Sequence, residues 1–202
     1  MDERFQSCLD SEIKTQEVLI MLIDITLKVT PKMTTDAQGN LKKALTGHLG
    51  THFDVMDKEF PLEYVRRRGI VFDVSAVKDR DIDLLDIDID QVKEDMFVGF
   101  FTGYIEEVGY GSKVYFSDHP QLSNELIKTL VEKGVSIIGI DCAGVRRGKE
   151  HTVTDQFCAD HGVFIVENLF NLKSVIGNSI INTYPMNFAE MTGLPCRVVA
   201  EI

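Results

Sequence analysis

Residues 123–141, SNELIKTLVEKGVSIIGID, decide the class of fold. Apolar residues recur at helical spacing after Ser123, a residue typical of a helix N-cap, and Gly134 ends the pattern. The short apolar run SIIGID that follows is typical of a buried strand. A second helical stretch around TVTDQFCADHG then precedes the strand VFIVE at residues 163–167. Alternation of strands and helices in this order indicates right-handed βαβ units.

The rest of the chain predicts one α/β domain. Further strands are expected at VLIMLIDITL, GIVFDVSAV, KVYFS and CRVVAEI, and a loop is expected at TPKMTTDAQGN. The chain has 202 residues and no visible repeat or linker, so it can bury one core without requiring a second. We expect residues 1–17 to form a polar extension and residues 18–202 to form the domain.

Two charged segments are interpreted as solvent-facing. Arg66, Arg67 and Arg68 precede a glycine and are expected in a solvated turn. The stretch DRDIDLLDIDIDQVKEDM is superficially like a calcium loop, but no register has both glycine at the sixth position and glutamate at the twelfth. It is therefore interpreted as a polar segment leading into a short helix.

The net charge and the cysteine spacing limit which partners and which cellular compartment are expected. A net charge of -11 and a pI near 4.9 argue against nucleic acid and membrane lipid, because phosphate binding needs a cationic face. The four cysteines lie far apart and form no CxxC pair, which is typical of reduced thiols. With no signal peptide or membrane span in view, we expect a cytoplasmic protein that acts on a small molecule.

The stretch GHLGTHFDV at residues 47–55 concentrates possible metal ligands. His52 and Asp54 would project to the same side of a strand, and the flexible Gly47 and Gly50 would let a loop curl His48 back toward them. Two imidazoles and a carboxylate suit zinc, manganese or iron better than calcium or magnesium. The alternative is a pair of loop histidines with Asp54 in a turn or cap.

Glu167 strengthens the metal interpretation. It ends the apolar strand VFIVE, and a buried carboxylate needs a cation, a hydrogen-bond network or a metal. Asp141 ends SIIGID in an equivalent position, although either acid could instead cap the next element. His119 is expected in a loop, and His151 and His161 are expected in solvent, although either of these two could approach the site.

These residues carry a family resemblance. HLGTHFD resembles the HxGTHxD signature of the cyclase family of metal-dependent hydrolases, which includes kynurenine formamidase and isatin hydrolase. Segments similar to those of the family follow in the same order across residues 20–202: LIDIT, GIVFDVSAV, FFTGY, DHP, GVSIIGID, IVENLFNL and GLPCRVVA. The resemblance implies an α/β fold with a β-barrel-like core, a homodimer or higher homo-oligomer, and one or two divalent metals that support hydrolysis of amide or lactam-like bonds.

The resemblance also assigns ligands. It implies that His48, His52, Asp54 and Glu167 bind the metal, and it exposes two departures. The family motif continues as HxGTHxDxPxH with a catalytic final histidine, whereas this chain has Met56 and Lys58 at the last two named positions. The family's histidine twelve residues before the glutamate is Asp155 here.

The departures change the expected chemistry. Asp155 can still bind a metal and would shift preference from zinc toward manganese. Lys58 is the candidate catalytic residue, as a fixed positive charge near an oxyanion, because a lysine with an ordinary pKa is a poor general base. Asp57 or Glu59 could take over proton transfer.

Three functions remain open from the sequence. The leading hypothesis is a zinc- or manganese-dependent hydrolase of a small amide, formamide or lactam. The alternative is a catalytically silent protein of the same fold that binds a metal or ligand. The third is cyclisation, dehydration or isomerisation at a metal-bound carbonyl.

Overall fold

Eight strands form one sheet whose edges meet, so that seven of them enclose a barrel. The computed structural model describes residues 20–41, 43 and 47–202, and the predicted extension at residues 1–17 lies outside them. The strands are β1 Leu22–Asp24, β2 His52–Asp54, β3 Arg66–Asp73, β4 Phe97–Phe101, β5 Ile137–Ile140, β6 Phe164–Glu167, β7 Gly177–Pro185 and β8 Gly193–Glu201. Their order is β1-β8-β2-β6-β5-β4-β3-β7, and an additional β7–β8 pairing closes the ring.

Parallel and antiparallel pairing divide the barrel. Strands β3, β4, β5 and β6 pair in parallel, as the βαβ pattern predicted. Antiparallel pairs join β6 to β2, β2 to β8, β8 to β7 and β7 to β3. The predicted α/β class with a barrel-like core is confirmed.

Five α-helices lie among the described residues: α1 Pro31–Ala37, α2 Tyr104–Val108, α3 Lys113–Ser117, α4 Asn124–Glu132 and α5 His151–Asp160. Helix α4 is the helix predicted after Ser123, whose side chain accepts a hydrogen bond from Leu126 N. Short 3₁₀ turns at Leu84–Asp86 and Ile89–Gln91 occupy the acidic segment. No described helix is long and apolar enough to cross a membrane.

Three local predictions were wrong. TPKMTTDAQGN contains α1, because Thr30 caps it and Pro31 occupies the first turn, where a missing N–H costs little. KVYFS is helix α3, capped by the Ser112 side chain. The three arginines belong to β3, because their backbones pair with Ile180–Asn182 of β7.

Alternation along the strands places two apolar layers on opposite faces of the sheet. One layer draws residues from all seven barrel strands, including Phe53 of β2 and Val166 of β6, and fills the interior. The other packs the outer face, including Ile138 and Ile165, against helices such as α4. Since Phe53 and Val166 point inward, their neighbours in sequence point outward, beneath helix α5.

Candidate metal centre

Strands β2 and β6 supply three buried polar side chains to the outer face of the barrel. His52 and Asp54 flank the inward-pointing Phe53 and therefore project together. His52 lies opposite Glu167 in the antiparallel ladder, and His52 Nε2 is 3.6 Å from Glu167 Oε2. The strand geometry predicted from the sequence is thus present, with all three residues buried.

A glycine loop brings His48 to the same point. Gly47 and Gly50 have φ of 82° and 72°, a left-handed conformation that glycine adopts at little cost. His48 Nδ1 consequently lies 3.0 Å from His52 Nε2 and 3.1 Å from Asp54 Oδ1. Two ligands each about 2.1 Å from one metal ion would lie roughly 3.0–3.4 Å apart, so these atoms are spaced for a shared ion.

Hydrogen bonds on the far side of each ring fix the direction of the histidines. His52 Nδ1 donates to the Gly50 carbonyl at 2.9 Å, which leaves the lone pair of a neutral imidazole on Nε2. His48 Nε2 bonds to Thr192 Oγ1, also at 2.9 Å. Metal-binding histidines usually hold their outer nitrogen in this way.

Helix α5 adds a second group of donors. His151 and Asp155 lie one turn apart, and His151 Nε2 is 3.2 Å from Asp155 Oδ2 and 3.4 Å from Glu167 Oε1. Ligand atoms of His48, His52 and Asp54 lie within 4.8 Å of one another, and so do those of Asp54, His151 and Asp155. The two groups share Asp54, and Glu167 contacts a histidine of each.

The electrostatics suit a cation. Burial lowers the pKa of His52, which favours the neutral imidazole that a metal requires. Burial alone would raise the pKa of Asp54, but the His48 hydrogen bond and the nearby histidine charges lower it to about 2. Asp54 is therefore ionised, and its buried Oδ2 has no hydrogen-bond partner among the described residues. An orphaned carboxylate oxygen beside converging imidazoles fits a divalent ion.

A buried network supports the cluster from below. Asn168 follows Glu167 with φ of 55°, and its Nδ2 donates to the same Gly50 carbonyl at 3.0 Å. Tyr115 OH donates to Asn168 Oδ1 at 2.7 Å, and Thr51 Oγ1 donates to the Asn168 carbonyl, also at 2.7 Å. The residue after the glutamate is thus tied to the loop that carries the histidines.

A cavity of about 440 Å³ opens onto the cluster. It is lined by all six donor residues and by Asn40, Lys43, Met56, Phe116, Ala143, Thr152, Asn168 and Thr192. This volume is in the range of small-molecule sites.

Lys58 lies in an adjoining groove, which shares Met56 and Thr192 with the cavity. Its ammonium pairs with Asp160 at 2.7 Å and Asp57 at 3.1 Å, and the hydrogen bonds to these two carboxylates raise its pKa. The backbone turns just before Lys58. Met56 has φ of 56°, which a proline cannot adopt. The chain therefore turns at the position where the resemblance implies a proline, and Lys58 reaches Asp160 at the end of α5.

The other polar candidates divide between structural and site positions. Asp141 accepts hydrogen bonds from Thr102 N, Thr102 Oγ1 and Gly103 N, which ties β5 to the loop after β4. His161 is exposed, as expected. The expectation of a solvent position for His151 was wrong: it lines the cavity, 30% exposed, because it lies one helical turn before Asp155.

Two positioning residues were not predicted from the sequence. Thr192 lies 144 positions from His48, and no local pattern marks it. Asn168 carried one signal, its place directly after the buried glutamate of VFIVEN.

Structural comparison finds the same fold in solved proteins. A potential metal-dependent hydrolase with cyclase activity matches with a TM-score of 0.73 and 22% identity, over 91% of this chain and 98% of that chain. A predicted metal-dependent hydrolase from Bacillus stearothermophilus matches with a TM-score of 0.72, 22% identity and the same coverage. Isatin hydrolase A from Labrenzia aggregata, bound to benzyl benzoate, matches with a TM-score of 0.69 and 18% identity, over 91% and 94%.

Sequence comparison gives the family. A search of curated protein sequences found no match. The model of the family described as "Putative cyclase" matches residues 23–147, which is more than half of the 202-residue chain. This match spans the glycine loop, β2 and the parallel strands β3, β4 and β5. The chain belongs to the cyclase family.

Proposed function

We propose that this protein is a metal-dependent hydrolase of a small amide, formamide or lactam. One observation carries the proposal: three imidazole nitrogens and three carboxylates converge beneath one cavity, with the outer nitrogens of His48 and His52 held by hydrogen bonds. Family membership and the similar solved structures named as hydrolases support the reaction class.

The ligands divide into two overlapping sets. His48, His52 and Asp54 would hold one divalent ion, and Asp155, Glu167 and His151 would complete a second set through the shared Asp54. Asp155 stands at the position where the resemblance implies a histidine, and His151, one turn earlier on α5, would supply the imidazole instead. The mixture of nitrogen and carboxylate donors suits Zn²⁺ or Mn²⁺.

A divalent metal at such a site polarises a carbonyl oxygen and lowers the pKa of bound water toward about 7. The chain's own residues would orient and confine the substrate. Thr192 and Gly50 keep the donor atoms of His48 and His52 directed at the cavity, so that little reorganisation is needed when substrate binds. Met56, Phe116 and Ala143 offer an apolar wall for the rest of the substrate.

Lys58 receives no proton-transfer role in this proposal. Its raised pKa keeps it protonated at neutral pH, and its two carboxylate partners hold it in the adjoining groove. Replacing Lys58 with Met should therefore change kcat by less than about threefold, whereas loss of an oxyanion-stabilising charge would cost about 10²–10³.

The test is hydrolysis of a panel of N-formyl anilines and small lactams by protein loaded with Zn²⁺ or Mn²⁺, followed by product analysis. We expect turnover that disappears in His52→Ala and persists in His161→Ala, an exposed histidine outside the cluster. Turnover retained in His52→Ala would exclude the proposed mechanism. A cyclised, dehydrated or isomerised product would assign the other reaction class.

One observation favours a second candidate, a metal- or ligand-binding protein without turnover. The position of the family's catalytic histidine carries Lys58, and that side chain does not line the cavity. Stoichiometric metal binding with no hydrolysis or rearrangement of any panel member would support this alternative.

We also propose a homo-oligomer, as the family resemblance implies. The groove beside the cavity presents exposed apolar side chains, including Leu62, Tyr184 and Met186. Light scattering on the eluting protein tests this, and a mass of 22.7 kDa would contradict it.

A further inference from the structure

The cavity has a cationic wall that the metal cluster does not use. Lys43 lines the cavity and is the only lysine or arginine among its described lining residues. Its Nζ lies 4.1 Å from the centroid of the Phe116 ring and 5.4 Å from that of Tyr110. Both distances are within the range of cation–π attraction.

This placement is unusual for a surface lysine. Burial lowers the pKa of Lys43, so the ammonium is held partly out of water rather than extended into solvent. No carboxylate among the described residues lies within 4.0 Å of its Nζ, and the attraction of Asp36 acts only from a longer distance. The aromatic rings hold the cation without neutralising it.

The negative charges that line the cavity belong to the candidate metal ligands. Asp54, Asp155 and Glu167 belong to the ligand cluster, where bound metal would balance them. The protein as a whole carries a net charge of -11, which disfavours the approach of an anion to any part lacking a local cation. An uncompensated ammonium in this setting is a specific feature of the cavity wall.

We propose that Lys43 is the counterion for a carboxylate on the substrate. This inference rests on the proposed hydrolase function and narrows its substrate class to a small amide, formamide or lactam that carries an anionic group. The scissile carbonyl faces the ligand cluster, the apolar part packs on Phe116 and Met56, and the carboxylate pairs with the Lys43 ammonium.

The pairing has a defined effect on selectivity. A charge-assisted hydrogen bond that is lost with one partner removes about 10- to 100-fold in binding. Removing the lysine should cost this factor for an anionic substrate and almost nothing for a neutral one of the same shape.

The experiment uses two N-aryl formamides that differ by one group, 2-formamidobenzoate and formanilide. The metal-loaded protein, Lys43→Met, Lys43→Arg and the control Lys32→Met are compared, since Lys32 is an exposed lysine paired with Asp36. We expect Lys43→Met to lower kcat/KM at least tenfold for 2-formamidobenzoate and less than twofold for formanilide. Lys43→Arg should retain most of the preference, and Lys32→Met should retain all of it.

A binding measurement tests the anion site independently of the hydrolase proposal. Calorimetry with anthranilate, the aryl product, measures the carboxylate contact without turnover, and thermal denaturation confirms that each variant is folded. If no variant hydrolyses either formamide but anthranilate binding weakens at least tenfold only in Lys43→Met, the anion site stands and formamide hydrolysis is excluded; the hydrolase proposal fails as well if the lactams of the panel are not hydrolysed. If Lys43→Met affects the charged and neutral compounds equally, or affects neither, the inference is wrong.

Discussion

Thr192 is the residue whose change should weaken metal binding at the candidate site without removing a candidate ligand. Its Oγ1 holds His48 Nε2 at 2.9 Å, and its backbone carbonyl separately accepts hydrogen bonds from Val55 N and Met56 N. Thr192→Val removes the hydroxyl but keeps the shape and backbone, so we expect metal affinity to fall about 10- to 100-fold. Calorimetric titration with Zn²⁺ or Mn²⁺ measures the change.

The matched control is Thr192→Ser, which keeps the hydroxyl and should stay within about threefold of the parent affinity. Equal affinities for all three proteins would show that the outer nitrogen of His48 does not need this partner.

His119 should make stability depend on pH. The side chain is buried, and burial lowers its pKa to about 4 from the ordinary 6.5. The unfolded chain therefore takes up this proton at a higher pH than the folded protein does. The contribution of neutral His119 to the free energy of unfolding is fully present above pH 6.5. It is lost as pH falls toward 4, by about 3 kcal/mol in total.

Denaturant unfolding of the parent and of His119→Leu across pH 4–8 isolates this contribution. We expect the variant to lose less stability than the parent between pH 6.5 and 4. Parallel curves for the two proteins would show that His119 does not titrate as described.

The positions of the candidate metal ligands were predictable to different degrees. His52 and Asp54 followed from the alternation of a strand, and Glu167 followed from the cost of burying a carboxylate in VFIVE. Asp155 came only from the family resemblance. For His151 a solvent position was expected and approach to the site was left as the alternative, because a sequence shows which residues share a helical face but not which face the barrel covers.

The glycine loop before β2 is the element that fixes how closely His48 approaches the barrel. A Cβ on Gly47 would lie 2.0 Å from the Gly193 carbonyl oxygen of β8, so alanine there must displace the loop or the strand. Gly39 provides a control, because its φ of 84° is as strained for alanine as the 82° of Gly47, yet no atom of the residues that the structure describes lies within 4 Å of its Cβ position.

We expect Gly47→Ala to destabilise the protein by about 1–3 kcal/mol more than Gly39→Ala, which is the usual cost of overpacking. The melting temperatures of both variants, with the metal affinity of each, measure the difference. Equal melting temperatures would contradict the close approach of the loop to β8.

Secondary elements were predictable where several local signals agreed. Helix α4 has a serine cap, an apolar stripe and a terminal glycine that agree with one another. The strand prediction for KVYFS was wrong because its three consecutive β-branched and aromatic residues, Val114, Tyr115 and Phe116, are typical of a strand, whereas the Ser112 cap and the buried Tyr115 make it a helix. Short segments of this kind are decided by packing rather than by pattern.

Closure of the barrel could not be derived from the pattern of elements. It depends on the pairing of β7 with both β3 and β8, and β3 lies more than 100 residues before β7 in the chain. The resemblance implied this core, and the structure confirms it. Closure places β2 between β6 and β8, and this position brings His52 against Glu167 and His48 against the loop before β8.

Metal content of tag-free purified protein is the measurement to make first, by elemental mass spectrometry on the parent, His52→Ala and His161→Ala. We predict one or two equivalents of zinc or manganese in the parent and in His161→Ala, and at least one equivalent less in His52→Ala, because loss of one imidazole breaks the set shared with His48 and Asp54. A parent protein that contains no metal and binds none when Zn²⁺ or Mn²⁺ is added would contradict the account.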